Sequence, residues 1–181
     1  MNIFYDGGKK SLEFSLSIPA LVAGQAGAGK TTLLKKIIPA LAKERKVCIL
    51  NPCHQKEYNS LAEKTVPVYM WLADGKYRLP SDAETYLFDF DRTPETANNI
   101  REVLTRLNNV YRKEKVVFVL DTCCADTPEA YEKLFKFFLS LQSENVMCIV
   151  TVQSLADLNL EDTDVQVFLT GERVKRCNGK E

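Results

Sequence analysis

Gly24-Gln25-Ala26-Gly27-Ala28-Gly29-Lys30-Thr31 satisfies G-x-x-x-x-G-K-[ST] at every defined position. Residues of these types in this order bind a polyphosphate. The glycines let the backbone curl until several N–H groups point at one anion. A helix opening at the loop's end adds the positive end of its dipole. Lys30 is expected to reach the β- and γ-phosphates, and the Thr31 hydroxyl to bind Mg²⁺. The residues expected to line the nucleotide are Gly24, Gln25, Ala26, Gly27, Ala28, Gly29, Lys30, Thr31 and Thr32. ATP with Mg²⁺ is the expected ligand.

Two further stretches carry chemistry. Val116-Val117-Phe118-Val119-Leu120-Asp121 is an apolar run that ends in a carboxylate. Downstream of a phosphate loop this is the Walker B arrangement, in which Asp121 holds Mg²⁺ through its water shell. Ile149-Val150-Thr151-Val152-Gln153-Ser154 is an apolar run that emerges into polar residues. Ligands of open α/β sheets bind at that edge, and Gln153 is expected to sense a γ-phosphate or position water. Lys30, Asp121 and Gln153 form the expected catalytic set, with in-line attack of water on the γ-phosphate.

These residues need a scaffold of strands and helices. Ala20-Leu21-Val22-Ala23 leads into the glycine loop as a strand, and Leu33, Leu34, Ile37, Ile38 and Leu41 follow as one helical stripe. Pro39 is expected to bend that helix or end its regular part. Leu12 to Leu16 alternates as a half-buried strand, and Val47-Cys48-Ile49-Leu50 reads as a fully buried one. The pattern predicts a helix near Gln55–Lys64 and a short strand near Val66–Tyr69. Thr85–Phe90 reads as a strand. Thr93-Pro94-Glu95 and Thr127-Pro128-Glu129 both carry helix-start chemistry, an N-cap followed by Pro at N1. The stripes behind them are Ala97, Ile100, Val103, Leu104, Leu107 and Tyr111, then Tyr131, Leu134, Phe135, Phe138 and Leu141. Val146–Val150 is another buried run, and Val165, Val167 and Leu169 alternate. Strands alternating with helices imply an α/β fold, a mainly parallel sheet covered on both faces.

Composition narrows the class. The chain has 181 residues, 45% hydrophobic and 27% charged, which suits one globular α/β domain over residues 1–181. Residues 1–17 read as a hairpin-like entry. Formal net charge is zero, so bulk basicity does not advertise nucleic acid, though a local patch can still bind a phosphate backbone. No apolar run reaches membrane-spanning length and no secretion signal precedes the domain, so the cytoplasm is the expected location. Six cysteines lack the spacing of a zinc knuckle or redox motif, and the chain has one histidine. Reduced thiols are the expectation for such a location.

The three stretches together resemble the FtsK/HerA superfamily of P-loop ATPases, whose members pump DNA. Ile18-Pro19-Ala20-Leu21-Val22-Ala23-Gly24 is similar to that family's lead-in M-P-H-L-L-I-A-G. Asp6-Gly7-Gly8-Lys9 with Leu12–Leu16 looks like its hairpin entry. Ile49-Leu50-Asn51-Pro52-Cys53 resembles its I-D-P-K, with Asn for Asp and Cys for Lys. Thr151-Val152-Gln153-Ser154 resembles its sensor strand. The resemblance covers residues 6–170. It implies a RecA-like core of strand order 5-1-4-3-2, a hexameric ring of identical subunits, and double-stranded DNA in the pore. It also implies an arginine finger, for which Arg92, Arg173 and Arg176 are candidates.

Two departures bear on activity. The family's Walker B reads D-E, and here Asp121 is followed by Thr122, which accepts no proton at neutral pH. Asp126, Glu57 and Asp89 are the acids that could substitute. The large pumps also carry membrane segments and a DNA-reading domain, and this chain has room for the motor core alone. The leading expectation is a compact DNA-moving ATPase of packaging or conjugative transfer. A nucleotide-binding regulatory or assembly module with weak hydrolysis is the alternative. A small-molecule kinase or other P-loop NTPase comes third. No Arg-rich lid supports a kinase, and no N-K-x-D motif supports a GTPase.

Overall fold

Valine, isoleucine, leucine and phenylalanine in unbroken runs mark strands covered on both faces, and such runs build the centre of this fold. The structure, a computed structural model, describes residues 2–5, 10–74, 79, 83–90, 96–111, 113–121, 128–154 and 164–170. The chain opens with β1 (Asn2–Tyr5) and β2 (Lys10–Glu13), then β3 (Ala20–Ala23) and α1 (Lys30–Leu41). Next come β4 (Lys46–Asn51), a 3₁₀ helix (Lys56–Ser60), β5 (Lys64–Pro67) and α2 (Val68–Asp74). The second half runs β6 (Thr85–Asp89), α3 (Thr96–Tyr111), β7 (Val116–Asp121), α4 (Pro128–Ser140), β8 (Val146–Val152) and β9 (Gln166–Leu169).

β1 and β2 pair as an antiparallel hairpin. The other seven strands form one sheet in the order β5-β6-β4-β7-β8-β3-β9, with every pairing parallel. The stretch β9-β3-β8-β7-β4 is the order 5-1-4-3-2 that the sequence resemblance implies. β6 and β5 extend it beyond β4 at one edge.

The period of two along each strand sorts side chains between two cores. On one face Val47, Ile49, Val117, Val119, Met147 and Ile149 pack against Leu34, Ile37, Ile38 and Leu41 of α1. On the other, Cys48, Leu50, Phe118, Leu120, Cys148 and Val150 pack against α3 and α4. Ile100, Val103, Leu104 and Leu107 of α3 are buried, as are Leu134, Phe135 and Phe138 of α4, so both stripes face inward as predicted. Each such side chain, fully buried, contributes about 1.5–3 kcal/mol.

The entry segment is tied to β9. Phe14 stacks on Phe168 with ring centroids 5.2 Å apart. Gln166 Nε2 donates to the Ser15 carbonyl at 2.6 Å and the Ile18 carbonyl at 3.0 Å, and its Oε1 accepts the Ser15 N–H at 2.9 Å. These contacts fix where the chain enters β3, and hence where the glycine loop begins.

Several local expectations need correction. The predicted helix over Gln55–Lys64 is a single 3₁₀ turn, Lys56–Ser60. The strand expected at Val66–Tyr69 runs Lys64–Pro67, and Tyr69 belongs to α2. Pro67 is the reason for both limits. It lacks a ladder N–H, which an edge strand tolerates at its end, and its fixed φ suits a helix start. β2 stops at Glu13, before Phe14 turns into the core. α1 passes Pro39 and closes at Leu41, with the Ala42 N–H donating to Ile38 O at 2.9 Å. The helix-start residues Thr93-Pro94-Glu95 lie outside the described residues, as does Thr127.

Candidate functional site

β3 ends at Ala23 and the chain turns at once into the glycine loop. The Gly24 N–H donates to the Val152 carbonyl of β8 at 3.1 Å, so the loop leaves the sheet anchored to the strand that carries Gln153. Gly24 is confined by close approach. A Cβ there would collide with the Thr170 hydroxyl and come within 3.0 Å of the Thr170 carbonyl. Thr170 is itself fixed, since its N–H and hydroxyl both donate to Ala23 O, at 2.9 and 3.1 Å.

Gly29 is the N-cap of α1 at φ 94°, a left-handed conformation that glycine alone adopts without strain. No side chain caps this helix and its first turn holds no acidic residue. Its first N–H groups and dipole end therefore suit an anion. The Lys30 ammonium lies back over the loop, donating to Gly24 O at 2.6 Å and Gln25 O at 3.1 Å. An ammonium has three donors, so this pose holds the charge beside the glycine loop with a donor in hand.

One level of the sheet gathers the remaining polar groups. Asp121 of β7 lies opposite Thr151 of β8, which lies opposite Val22 of β3. On the other side Asn51 of β4 lies opposite Asp89 of β6. Asn51, Asp121 and Thr151 share strand parity with Val47, Val117 and Met147, so they face the α1 side. Asn51 is 2% exposed, Asp121 1% and Thr151 1%. A carboxylate so deeply buried needs donors. Thr151 Oγ1 donates to Asp121 Oδ1 at 2.6 Å, and the Tyr58 hydroxyl donates to Asp121 Oδ2 at 2.9 Å.

The segment after β4 closes the site. Thr31 Oγ1 donates to Gln55 Oε1 at 3.0 Å. Asn51 Oδ1 accepts the Gln55 N–H at 2.9 Å, and Asn51 Nδ2 donates to the Gln55 carbonyl at 3.2 Å. His54, with φ 52°, turns the opposite way and meets Asp89 Oδ1 through Nδ1 at 2.9 Å.

The sequence therefore led to Lys30, Thr31, Asp121 and Gln153, and all four sit at the carboxyl edge of the sheet, Lys30 and Thr31 on the first turn of α1 and the others at the ends of β7 and β8. Gln153 is exposed just past the end of β8. Asp89 is engaged by His54 at the end of β6, a strand separated from β3 by β4, β7 and β8. Glu57 is exposed on the 3₁₀ helix. Thr122, Asp126, Arg92, Arg173 and Arg176 lie outside the described residues. Gln55 and Tyr58 were not foreseen. The one hint was their position after Asn51-Pro52, at the carboxyl end of a buried strand.

The donor set fits a magnesium ion carried by a nucleotide. Thr31 and Asp121 offer hard oxygens, and Mg²⁺ is usually bound through one or two such groups plus phosphates and water. Among the described residues no group of three or more His, Cys, Asp or Glu forms a self-contained metal site. A cavity of about 630 Å³ lies near Arg45, Glu84 and Glu114, at the amino ends of the strands and away from this chemistry.

The cysteines divide by position. Cys48 and Cys148 are free, buried thiols whose pKa burial pushes well above the usual range, so both act as small hydrophobes. Cys53 is disulfide-bonded, which corrects the expectation of reduced thiols throughout. It lies in the half-buried turn after β4.

A seven-stranded parallel sheet, with the phosphate-loop strand beside β8 and β8 beside the Asp121 strand, decides the fold. The chain is a RecA-like P-loop NTPase fold. Solved structures agree. The genome packaging NTPase B204 from Sulfolobus turreted icosahedral virus 2, in complex with AMP, is similar at TM-score 0.55 and 16% identity, over 87% of this chain and 77% of that one. The same protein in complex with AMPPCP gives TM-score 0.55 and 17% identity, over 87% and 78%. With ATP-gammaS it gives TM-score 0.53 and 16% identity, over 88% and 78%. These likenesses are of fold. No protein-family pattern and no curated protein sequence matches the chain.

Proposed function

We propose that this chain is an ATP-hydrolysing motor core that moves double-stranded DNA, in genome packaging or conjugative transfer. The observation that carries the reading is the seating of β8 between the phosphate-loop strand and the Asp121 strand. That order brings Gln153 to the same edge as Lys30 and Asp121. The glycine-loop amides and the α1 N-terminus bind the phosphates, and Lys30 stabilises charge on the β- and γ-phosphates. Thr31 and Asp121 hold the nucleotide's Mg²⁺, which when bound neutralises phosphate charge. Gln153 orients water or senses the γ-phosphate. The similarity to a genome packaging NTPase supports the DNA-moving role. In this reading the working form is a homo-oligomeric ring. No helix among the described residues is long and apolar enough to cross a membrane.

Thr122 favours a second reading. Without the Walker B glutamate, the chain binds ATP and hydrolyses it weakly, serving as a regulatory or assembly module. Sizing the protein with and without ATP–Mg²⁺, together with DNA retention at two salt concentrations, tests between them. The motor reading expects a nucleotide-dependent ring that retains duplex DNA and releases it as salt rises. A monomer that binds ATP–Mg²⁺ and ignores DNA supports the module instead.

A further inference from the structure

Two side chains outside the phosphate-loop and Walker B patterns hold the two groups expected to meet the cation. Gln55 Oε1 accepts the Thr31 hydroxyl proton, and the Tyr58 hydroxyl donates to Asp121 Oδ2. Both belong to the short segment after β4, and that segment is pinned on two sides. Asn51, almost fully buried, brackets the backbone of Gln55 with two hydrogen bonds. His54 fastens the other side to Asp89.

We propose that Gln55 and Tyr58 are positioning residues for the nucleotide's divalent cation, with residues 51–58 acting as a bracket that pre-aims Thr31 and Asp121. This inference rests on the ATP–Mg²⁺ reading of the site. A threonine hydroxyl has one proton and two lone pairs. With the proton directed to the Gln55 carbonyl oxygen, the Thr31 lone pairs stay available to a cation. Without that acceptor the hydroxyl rotor is free, and many of its orientations point the proton at the metal. Asp121 is fixed in the complementary sense. Thr151 and Tyr58 each donate to one carboxylate oxygen, which sets the plane of the group. Such supporting contacts fix donor orientation, and losing one typically weakens metal affinity about 10–100-fold.

The test is binding, independent of turnover. A fluorescent ATP analogue is titrated into the full chain in Mg²⁺ and in EDTA. Wild type binds more tightly in Mg²⁺. Gln55→Ala is expected to bind at least about tenfold more weakly than wild type in Mg²⁺ and equally in EDTA. Gln55→Glu keeps an acceptor for the Thr31 proton and is expected to retain most of the Mg²⁺ increment. Tyr58→Phe, which removes one oxygen and preserves the ring, loses part of it. A Gln55→Ala chain with the full wild-type increment, or one weakened equally in both buffers, overturns the inference while leaving the ATP-binding reading intact. A wild type that binds no nucleotide in either buffer overturns both.

Discussion

The Tyr58 hydroxyl donates to Asp121 Oδ2 at 2.9 Å, tying the 3₁₀ turn after β4 to the acidic end of β7. Both residues are buried, so the bond replaces water that neither group can reach. Tyr58→Phe removes this donor from an interior carboxylate. The expected loss is about 1–3 kcal/mol of folding stability, read by urea or thermal denaturation. An unchanged midpoint would mean that Asp121 takes its compensation elsewhere.

Gly24 tests the steric account of the loop. A methyl group at this position meets the Thr170 hydroxyl and backbone carbonyl, and the carbonyl cannot swing away without breaking the β3–β9 edge. Gly24→Ala should lower stability by about 1–3 kcal/mol and weaken ATP binding, because the loop must shift off β8. Thr170→Ser with Gly24→Ala should recover little, since the hydroxyl and carbonyl both remain. A Gly24→Ala chain of wild-type stability and affinity would refute the close packing.

Thr122 follows the Walker B aspartate where the resembling family carries glutamate. If the missing base limits turnover, Thr122→Glu should raise kcat about tenfold or more, the range a positioned acid–base group supplies. ATP affinity should change little. Steady-state hydrolysis of both chains decides it. A variant no faster than wild type would show that another group already does this work, or that chemistry is not the slow step.

Cys53 carries a disulfide within the bracket segment. Reductant should therefore lower the melting temperature of the wild type, with a loss of about 2–4 kcal/mol. Cys53→Ser should start lower and respond to reductant no further. Cys48 and Cys148, buried in β4 and β8, should resist alkylation in the folded chain with or without reductant. Equal melting in both conditions would remove the disulfide from the account of stability.

The sheet was legible because its strands are apolar on both faces. Val116–Leu120 and Val146–Val150 admit few alternatives, and their terminal residues Asp121, Thr151 and Gln153 mark the carboxyl edge. The phosphate loop was legible because its chemistry demands particular residues at fixed spacing. The segment from Asn51 to Tyr69 was not. Its structure follows from contacts far away in sequence, Gln55 to Thr31 and Tyr58 to Asp121, which no local periodicity encodes. Tyr58 sat in a stretch read as a helix, and its burial comes from the core under α1. Pro67 then divides β5 from α2, a boundary that a strand pattern through Val66–Tyr69 runs across. In the sequence Asn51 stands out only as a substitution for Asp. Its use is to hold Gln55, which an amide does with both of its ends.

In the proposed motor, nucleotide turnover at Lys30 is coupled to DNA. ATP hydrolysis should be measured with and without double-stranded DNA at fixed, moderate salt, for wild type and Lys30→Ala. Duplex DNA is expected to stimulate turnover several-fold, an effect that falls as salt rises, and Lys30→Ala is expected to reduce turnover by about 100-fold or more. Turnover indifferent to DNA would contradict the motor reading, and turnover unchanged in Lys30→Ala would contradict the site itself.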